Sequence, residues 1–92
     1  MYDIVFTSRM KRDVKLMKKR NKNISLLVDI LDKLSKGEEL PEKNKDHQLC
    51  GVFKDFRECH IEPDWLLIYK IEQDELILYA TATGTHSDLF KM

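Results

Sequence analysis

Hydrophobic residues are densest from Trp65 to Ile71, a run that contains one charged residue. An apolar run of this length, rich in aromatic and β-branched residues, predicts a strand buried on both faces. Glu62-Pro63-Asp64 precedes it and predicts a tight turn, because proline fixes its own φ and moves the preceding residue out of the helical region. A strand that ends at His60 would return at Asp64, so the turn places an imidazole and a carboxylate near each other.

The N-terminal segment has the spacing of a strand followed by a helix. Tyr2 to Thr7 alternates sufficiently between apolar and polar residues to predict a first strand. Ser8 is a favourable N-cap residue, so a helix is expected from Arg9 to about Lys22. The apolar side chains of this helix form one stripe, made of Met10, Val14 and Met17.

A second helix follows after a short joint. Asn23 or Ser25 can cap it, and Gly37 is expected to end it. Its apolar residues, which have helical spacing, are Ile24, Leu27, Leu31 and Leu34. Two helices joined by so few residues are expected to form an antiparallel hairpin.

The C-terminal half has the pattern of an antiparallel meander. Residues 38–49 are polar and lack periodicity, which predicts a loop. Strands are expected at about Val52–His60, Trp65–Ile71 and Glu75–Thr81, and the short turns between them favour antiparallel pairing. Residues 1–92 are therefore predicted to be one α+β domain with the element order β-α-α-β-β-β, in which a small antiparallel sheet packs against the helical hairpin.

This topology predicts a cluster of polar side chains at one edge of the sheet. The end of the second strand, the start of the third and the end of the fourth meet there, and they hold His60, Asp64 and Ala82. His86 follows the last strand closely. Imidazoles beside a carboxylate are suited to proton transfer near neutral pH, although each residue alone is more often structural. His47 is expected at the far edge, unless the loop before the second strand folds back.

The charge of the chain is balanced overall but segregated along the sequence. Lys plus Arg and Asp plus Glu each number 16, yet residues 9–22 contain eight basic residues and a single acid, Asp13. The basic residues are Arg9, Lys11, Arg12, Lys15, Lys18, Lys19, Arg20 and Lys22. Such a stripe is either a solvated helix face or a surface for a polyanion, because binding follows local potential rather than net charge.

Neither a membrane segment nor a secretion signal is evident in the sequence. No apolar run approaches the roughly 20 residues that span a bilayer. The N-terminus lacks the basic and then apolar order of a signal peptide. A cytoplasmic location without membrane contact is therefore expected.

The cysteines and histidines are also possible ligands of a metal ion. Cys50 and Cys59 would lie at the two ends of one strand, roughly 30 Å apart at about 3.3 Å per residue, so they are expected to be free thiols. The possible ligands are these cysteines with His47, His60 and His86, but the spacings Cys-x2-Cys and His-x3-His are absent. Cys59 and His60 would also point to opposite faces of a strand. No metal or other cofactor is expected, and nothing marks either cysteine as an activated nucleophile.

Three segments of the chain resemble the YafQ branch of the RelE toxin superfamily. They are Lys45–Gly51, Arg57–Tyr69 and Thr83–Phe90, within which His-x-x-Pro-Asp-Trp and Thr-Gly-Thr-His occur together. The pattern from Asp13 to Arg20 in the first helix is also similar, and the resemblance covers nearly the whole chain in order. It implies a RelE-like microbial RNase fold and the toxin of a bacterial type II toxin–antitoxin system.

The resemblance also implies a reaction and partners. Toxins of this kind enter the A site of the 70S ribosome and cut the mRNA codon there without metal. The ribose 2′-OH attacks its neighbouring phosphate, which leaves a 2′,3′-cyclic phosphate and a free 5′-OH. The implied partner is a DinJ-like antitoxin, through which alone the toxin would contact operator DNA.

Residue roles follow from the same motif match. His47, His60, Asp64 and His86 are the expected acid–base set, with Asp64 and His86 as the principal proton-transfer pair. The assignment of base and acid stays open at this point. Phe90 is expected to position the substrate, and the basic residues of the first helix are expected to face rRNA phosphates. Trp65 is either a core residue or a stacking platform.

One position departs from the family pattern. Where the family usually has arginine before Thr-Gly-Thr-His, this chain has Ala82. An arginine there would stabilise charge on the reacting phosphate, and the loss of such a group typically costs about 10²–10³ in rate. An impaired enzyme is therefore expected, either substituted deliberately or naturally weak. The alternatives are an inactive antitoxin-binding co-repressor and a free-standing ribonuclease, against which the resemblance argues.

Overall fold

A five-stranded sheet carries two long helices on one face. In the computed structural model, which describes residues 1–90, the strands have the spatial order β1-β5-β4-β3-β2. The elements are β1 Asp3–Phe6, α1 Ser8–Lys19, α2 Ile24–Ser35, β2 His47–Gln48, β3 Arg57–Glu62, β4 Trp65–Glu72, β5 Ile77–Gly84 and α3 His86–Phe90. The predicted α+β class is confirmed. No helix within this range is both long and apolar enough to cross a bilayer.

The sheet is mixed rather than wholly antiparallel. β3, β4 and β5 form the predicted meander, and β2 pairs antiparallel with β3. β1, however, pairs in parallel with β5, from Asp3 opposite Ile77 to Phe6 opposite Ala80. A parallel neighbour requires a long crossover, which α1, α2 and the meander together provide. The expectation of an all-antiparallel sheet is therefore wrong at this edge.

The segment before β3 contains less strand than its sequence indicated. The predicted strand Val52–His60 begins only at Arg57, because Gly51 adopts a left-handed backbone with φ +68° and starts a 3₁₀ turn. The predicted loop 38–49 contains a second 3₁₀ turn, Glu42–Asn44, as well as β2. The chain therefore rejoins the sheet at β2, before the predicted start at Val52.

The cysteines are free, although not for the reason that the sequence suggested. Cys50 is exposed and precedes the 3₁₀ turn, so the two thiols do not lie at the ends of one long strand. Cys59 is buried in the core, and burial raises the pKa of its thiol to about 12. Cys59 is thus an inert, structural cysteine.

The side of the sheet that faces the helices forms the main core. Its members are Met10, Met17, Leu27, Ile30, Leu31 and Leu34 from the helices and Cys59, Trp65, Leu67, Tyr69, Leu78 and Ala80 from the sheet. Trp65 is fully buried, and its indole N–H donates to the Thr83 hydroxyl at 2.9 Å. A buried indole with a satisfied N–H is a core residue, so Trp65 is not a stacking platform.

A β-bulge in β5 changes the face that its residues occupy. The pairing with β4 shifts between Ala80 and Ala82, so Thr81 is an extra residue. Ala80 faces the helices, whereas Ala82 lies with its partner Ile68 on the outer face, the side of the sheet away from α1 and α2. Glu58 is opposite Ile68 on β3, so the row Glu58–Ile68–Ala82 crosses this outer face.

Candidate active site

Asp64 and His86 make the central contact at the end of the sheet. Asp64 follows the Pro63 turn between β3 and β4, and His86 begins α3 directly after β5. The Asp64 Oδ1 atom accepts from the His86 backbone N–H at 3.1 Å and from the ring Nδ1 at 2.7 Å. The meander therefore brings these two residues together, as its predicted topology required.

The electrostatics of this contact fix the chemistry of the His86 ring. The ring hydrogen bond, followed by the backbone hydrogen bond, lowers the pKa of Asp64. An ionised carboxylate can only accept, so the hydrogen in this bond must sit on Nδ1 of His86. Nε2 then carries a lone pair in the neutral ring and an N–H in the charged ring. An imidazole held in this way can take or give a proton at Nε2.

The rings of His60 and His47 also have an oxygen acceptor at Nδ1. Nδ1 of His60 lies 3.2 Å from the Pro63 carbonyl oxygen, and Nδ1 of His47 lies 2.6 Å from the Lys45 carbonyl oxygen. A carbonyl oxygen also only accepts, so each ring carries hydrogen on Nδ1. The two Nε2 atoms face the carboxylate of Glu58, at 3.8 Å from His60 and 3.7 Å from His47.

Glu58 is a member of this cluster that the sequence analysis missed. It is buried, with 6% of its surface exposed, between His47 and His60. The signal was available, because Glu58 is two residues from His60 on one strand and alternation places both on the same face. A buried carboxylate requires polar partners, and each imidazole can present an Nε2–H to Glu58 only in its charged form.

His47 is nearer to the site than its sequence position suggested. β2 pairs with β3 so that His47 lies opposite Glu58. Asp46 fixes this strand, because its carboxylate accepts from the Tyr69 hydroxyl at 2.6 Å and from Arg57 Nε at 3.3 Å. The loop before β3 does fold back, and the expectation that His47 lies at the far edge is wrong.

Three of these groups could also hold a metal ion. One ligand atom from each of Glu58, His60 and His86 lies within 4.8 Å of the other two. The rings of His60 and His86 meet edge-on, with centroids 5.7 Å apart. Imidazole nitrogens with one carboxylate are a donor set suited to zinc or copper. Spacing motifs did not reveal the cluster, because its members come from β3 and α3 rather than from one short segment.

Asp88 anchors the helix that carries His86. The Thr85 backbone N–H donates to Asp88 Oδ2 at 2.9 Å and the Asp88 backbone N–H donates to Thr85 Oγ1 at 3.1 Å, which is a reciprocal capping box. Arg20, the C-cap residue of α1, donates to both oxygens of the same carboxylate, at 2.6 and 3.2 Å. Arg20 first, and then the Thr85 backbone N–H, lowers the pKa of Asp88 to about 2. Gly84 permits this packing, because a Cβ there would lie 2.9 Å from the Asp88 Cβ.

A cavity of about 130 Å³ lies on the outer face beside α3. Its walls include Arg9 of α1, Ala82 of β5 and Phe90 of α3. Phe53 meets Phe90 edge-on, with ring centroids 6.4 Å apart. Ala82 therefore borders the same space as Phe90, the predicted substrate-positioning residue.

The basic residues between positions 9 and 22 form two groups: some contact other elements, and the rest have exposed side chains. Arg20 is bound to Asp88, and Lys22 Nζ lies 3.8 Å from Glu62. Arg9 lines the cavity beside α3. The exposed remainder of the stripe consists of Lys11, Arg12, Lys15, Lys18 and Lys19.

Comparisons with known proteins find relatives along nearly the whole chain. Residues 2–91 match the family described as "Bacterial toxin of type II toxin-antitoxin system, YafQ". The chain is 42% identical over 89 residues to the mRNA interferase toxin YafQ of Escherichia coli strain K12. That alignment covers 96% of this chain and 95% of the relative.

Solved structures extend the likeness to the fold. A metal-bound toxin from Helicobacter pylori superposes with a TM-score of 0.93 at 39% identity, over 98% of this chain and 100% of that one. A chain of the E. coli DinJ-YafQ toxin-antitoxin complex superposes with a TM-score of 0.87 at 40% identity, over 97% of each chain. Both levels of identity are high enough to relate the sequences as well as the folds.

The Asp64 carboxyl is expected to ionise at lower pH than an ordinary aspartate. Its folded-state pKa is lowered by His86, so the contact stabilises the protein above the unfolded-state value near 3.8 and is lost as pH falls through the folded-state value. A carboxyl-detected NMR titration measures this midpoint, which should lie below 3.8.

Two comparisons sharpen this titration. His86→Gln removes the ring bond but keeps the backbone N–H, so the Asp64 midpoint should rise part of the way toward 3.8. Asp88 is the control carboxyl, because its pKa of about 2 depends chiefly on Arg20 and should not move in that variant. An Asp64 midpoint at or above 3.8 in the parent protein would contradict the contact.

Proposed function

Because the chain belongs to the YafQ family of bacterial type II toxins, we propose that it is an mRNA interferase that cuts codons in the ribosomal A site. Residues 1–92 act as one toxin domain in the cytoplasm. The relative named mRNA interferase toxin supports the activity. The DinJ-YafQ complex of E. coli supports a DinJ-like antitoxin as the partner that neutralises this chain and links it to operator DNA.

The shared orientation of three imidazoles carries the proposal. An oxygen acceptor holds Nδ1 of His47, His60 and His86, so Nε2 is the nitrogen at which each ring can gain or lose a proton. In His47 and His60 this nitrogen faces Glu58. Cleavage through the ribose 2′-OH needs a base for that proton and an acid for the departing 5′-oxygen. We assign Nε2 of His86 as the base, because the Asp64 carboxylate holds the ring in the tautomer with a lone pair there. Asp64 is then the orienting half of the proton-transfer pair.

The leaving group needs a proton from a second ring. In its charged form His60 can supply it from Nε2, and its ring centroid lies 5.7 Å from that of His86. His47 is assigned a hydrogen bond to a phosphate oxygen. Glu58, which lies beside Nε2 of both rings, holds them in position. Phe90 is assigned to a nucleotide base at the cavity beside α3.

Binding to the ribosome is assigned to the basic stripe of α1. Its exposed lysines and Arg12 form a surface whose positive charge can neutralise rRNA phosphates and release their counterions. A small protein on a large polyanion gains much of its affinity from such contacts. Weakening of binding with added salt is the expected signature.

On this proposal the enzyme is impaired by Ala82. An arginine at this position would extend from the outer face of the sheet, in the row that also contains Glu58. Its guanidinium would stabilise the charge that develops on the phosphate in the transition state. The alanine methyl group lacks that charge, so the reaction is slower but follows the same mechanism.

Ala82 also supports a second candidate function of a different class. In it the chain is an inactive protein that binds the antitoxin and acts as its co-repressor. The two candidates share a fold and an antitoxin partner, and they differ in whether the chain cleaves mRNA.

Single-turnover cleavage on translating ribosomes, mapped by primer extension, tests the enzyme. The parent should cut slowly within the A-site codon, and Ala82→Arg should cut faster, by up to about 10²–10³. His86→Gln should lower the rate by about 10²–10⁴, because the base is lost. Lys33→Gln, on the exposed side of α2, is the control and should match the parent.

Other outcomes would favour the alternatives. Ribosome binding without any cut, in both the parent and Ala82→Arg, would support the inactive co-repressor. Cutting of naked RNA at the same rate would indicate a free-standing ribonuclease.

Metal ions are expected to inhibit this enzyme. The donor set of Glu58, His60 and His86 fits a transition metal, and a bound ion would supply positive charge near the phosphate. It would also occupy the lone pairs that the proposed acid–base steps need. Treatment of the toxin with EDTA, with the chelator removed before ribosomes are added, should therefore leave the cleavage rate unchanged. Zinc added to the treated toxin should lower the rate, whereas magnesium, which prefers oxygen ligands, should do so far less. Activity lost after this treatment and restored by zinc would contradict the acid–base assignment.

A further inference from the structure

Arg9 is a basic residue beside the cavity on the outer face. It belongs to the first turn of α1, and together with Ala82 and Phe90 it lines the cavity of about 130 Å³ on the outer face. Arg9 and Ala82 thus border the same space, although they come from opposite ends of the chain. The Arg9 guanidinium can therefore reach the cavity that an arginine at position 82 would enter.

Two contacts orient the guanidinium of Arg9. Its Nε donates to Asp13 Oδ2 at 3.3 Å, and the same oxygen accepts from the Thr83 backbone N–H at 3.2 Å. Its Nη2 lies 3.5 Å from the carbonyl oxygen of Asp88. The side chain is therefore held between β5 and the short helix that begins at His86.

The guanidinium retains capacity for another ligand. These contacts use two of its five N–H donors, and 46% of the Arg9 side chain is exposed. A planar guanidinium can bind a carboxylate along one edge and a phosphate along another. Asp13 partly neutralises it, which predicts a weaker cation than an unpaired arginine.

We propose that Arg9 supplies the phosphate-stabilising cation of this chain, in place of the arginine that the family pattern has at position 82. The group it binds is the scissile phosphodiester of the mRNA, so the inference rests on the proposed function. The enzyme is then reduced in rate rather than inactive. Arg9 and an arginine at position 82 would serve the same phosphate, so their effects cannot be additive.

A double-mutant cycle in single-turnover cleavage tests this claim. The proteins are the parent, Arg9→Gln, Ala82→Arg and the double variant, each at saturating ribosome concentration. Arg9→Gln should lower the rate by about 10²-fold. Ala82→Arg should raise the rate at least about tenfold more in the Arg9→Gln background than in the parent, because either cation meets the same need.

Arg12→Gln is the charge-matched comparison. It removes the same charge from the same helix at an exposed position, so both single variants should weaken ribosome binding to a similar degree. At saturation the Arg9→Gln rate should be at least about tenfold below the Arg12→Gln rate. The Asp64 titration distinguishes a direct role of Arg9 in the reaction from a structural role. Arg9→Gln should leave the Asp64 midpoint unchanged if Arg9 acts on the phosphate. If Arg9 only positions α3, the midpoint would shift.

The outcomes distinguish a failure of the role proposed for Arg9 from a failure of the proposed endoribonuclease function. Equal saturating rates for Arg9→Gln and Arg12→Gln, additive effects in the cycle, or a shifted Asp64 midpoint would each overturn the role of Arg9 alone. Cleavage by Ala82→Arg but not by the parent would do the same. If neither the parent nor Ala82→Arg cuts on the ribosome, the proposed function fails and the inference fails with it.

Discussion

The double acceptance by Asp64, from the backbone N–H and the ring of His86, is the interaction on which the candidate site depends. One carboxylate oxygen joins the β3–β4 turn to the start of α3 and sets the proton position on the imidazole. It also takes up one of the unpaired N–H groups that every helix N-terminus presents. The same carboxylate oxygen therefore orients the His86 ring and attaches α3 to the sheet. Loss of Asp64 would disturb both.

The short helix α3 exists because tertiary contacts hold it. Five residues are too few for a helix that is stable alone. Asp64 binds its first N–H, and Asp88 and Thr85 cap it reciprocally. Arg20 extends from the C-terminal cap of α1 to the Asp88 carboxylate. The placement of His86 thus depends on the helical hairpin as well as on the sheet, so α1 has a structural role beside any contact with RNA.

Part of this arrangement could be predicted from the sequence because local rules specify it. The proline turn and the apolar run after it required a meander, and a meander gathers the residues at its strand ends, as it does for His60, Asp64 and His86. Other features depend on interactions that no local pattern encodes. The bulge at Thr81 moves Ala82 to the outer face against simple alternation, and β2 is a strand of two residues paired with the edge of β3. The proximity of Arg9 to Ala82 likewise follows from the packing of α1 beside β5. Glu58 is different, since its spacing of two residues from His60 is sufficient to place both side chains on one face of β3.

The central claim is that Asp64 holds His86 with hydrogen on Nδ1 and leaves Nε2 available. Long-range ¹H–¹⁵N correlation spectra of the imidazole, recorded where His86 is neutral, report its tautomer directly. The account predicts the Nδ1–H tautomer in the parent protein and a change in the tautomer population toward Nε2–H in Asp64→Ala. An Nε2–H tautomer in the parent, or a tautomer population that Asp64→Ala leaves unchanged, would contradict it.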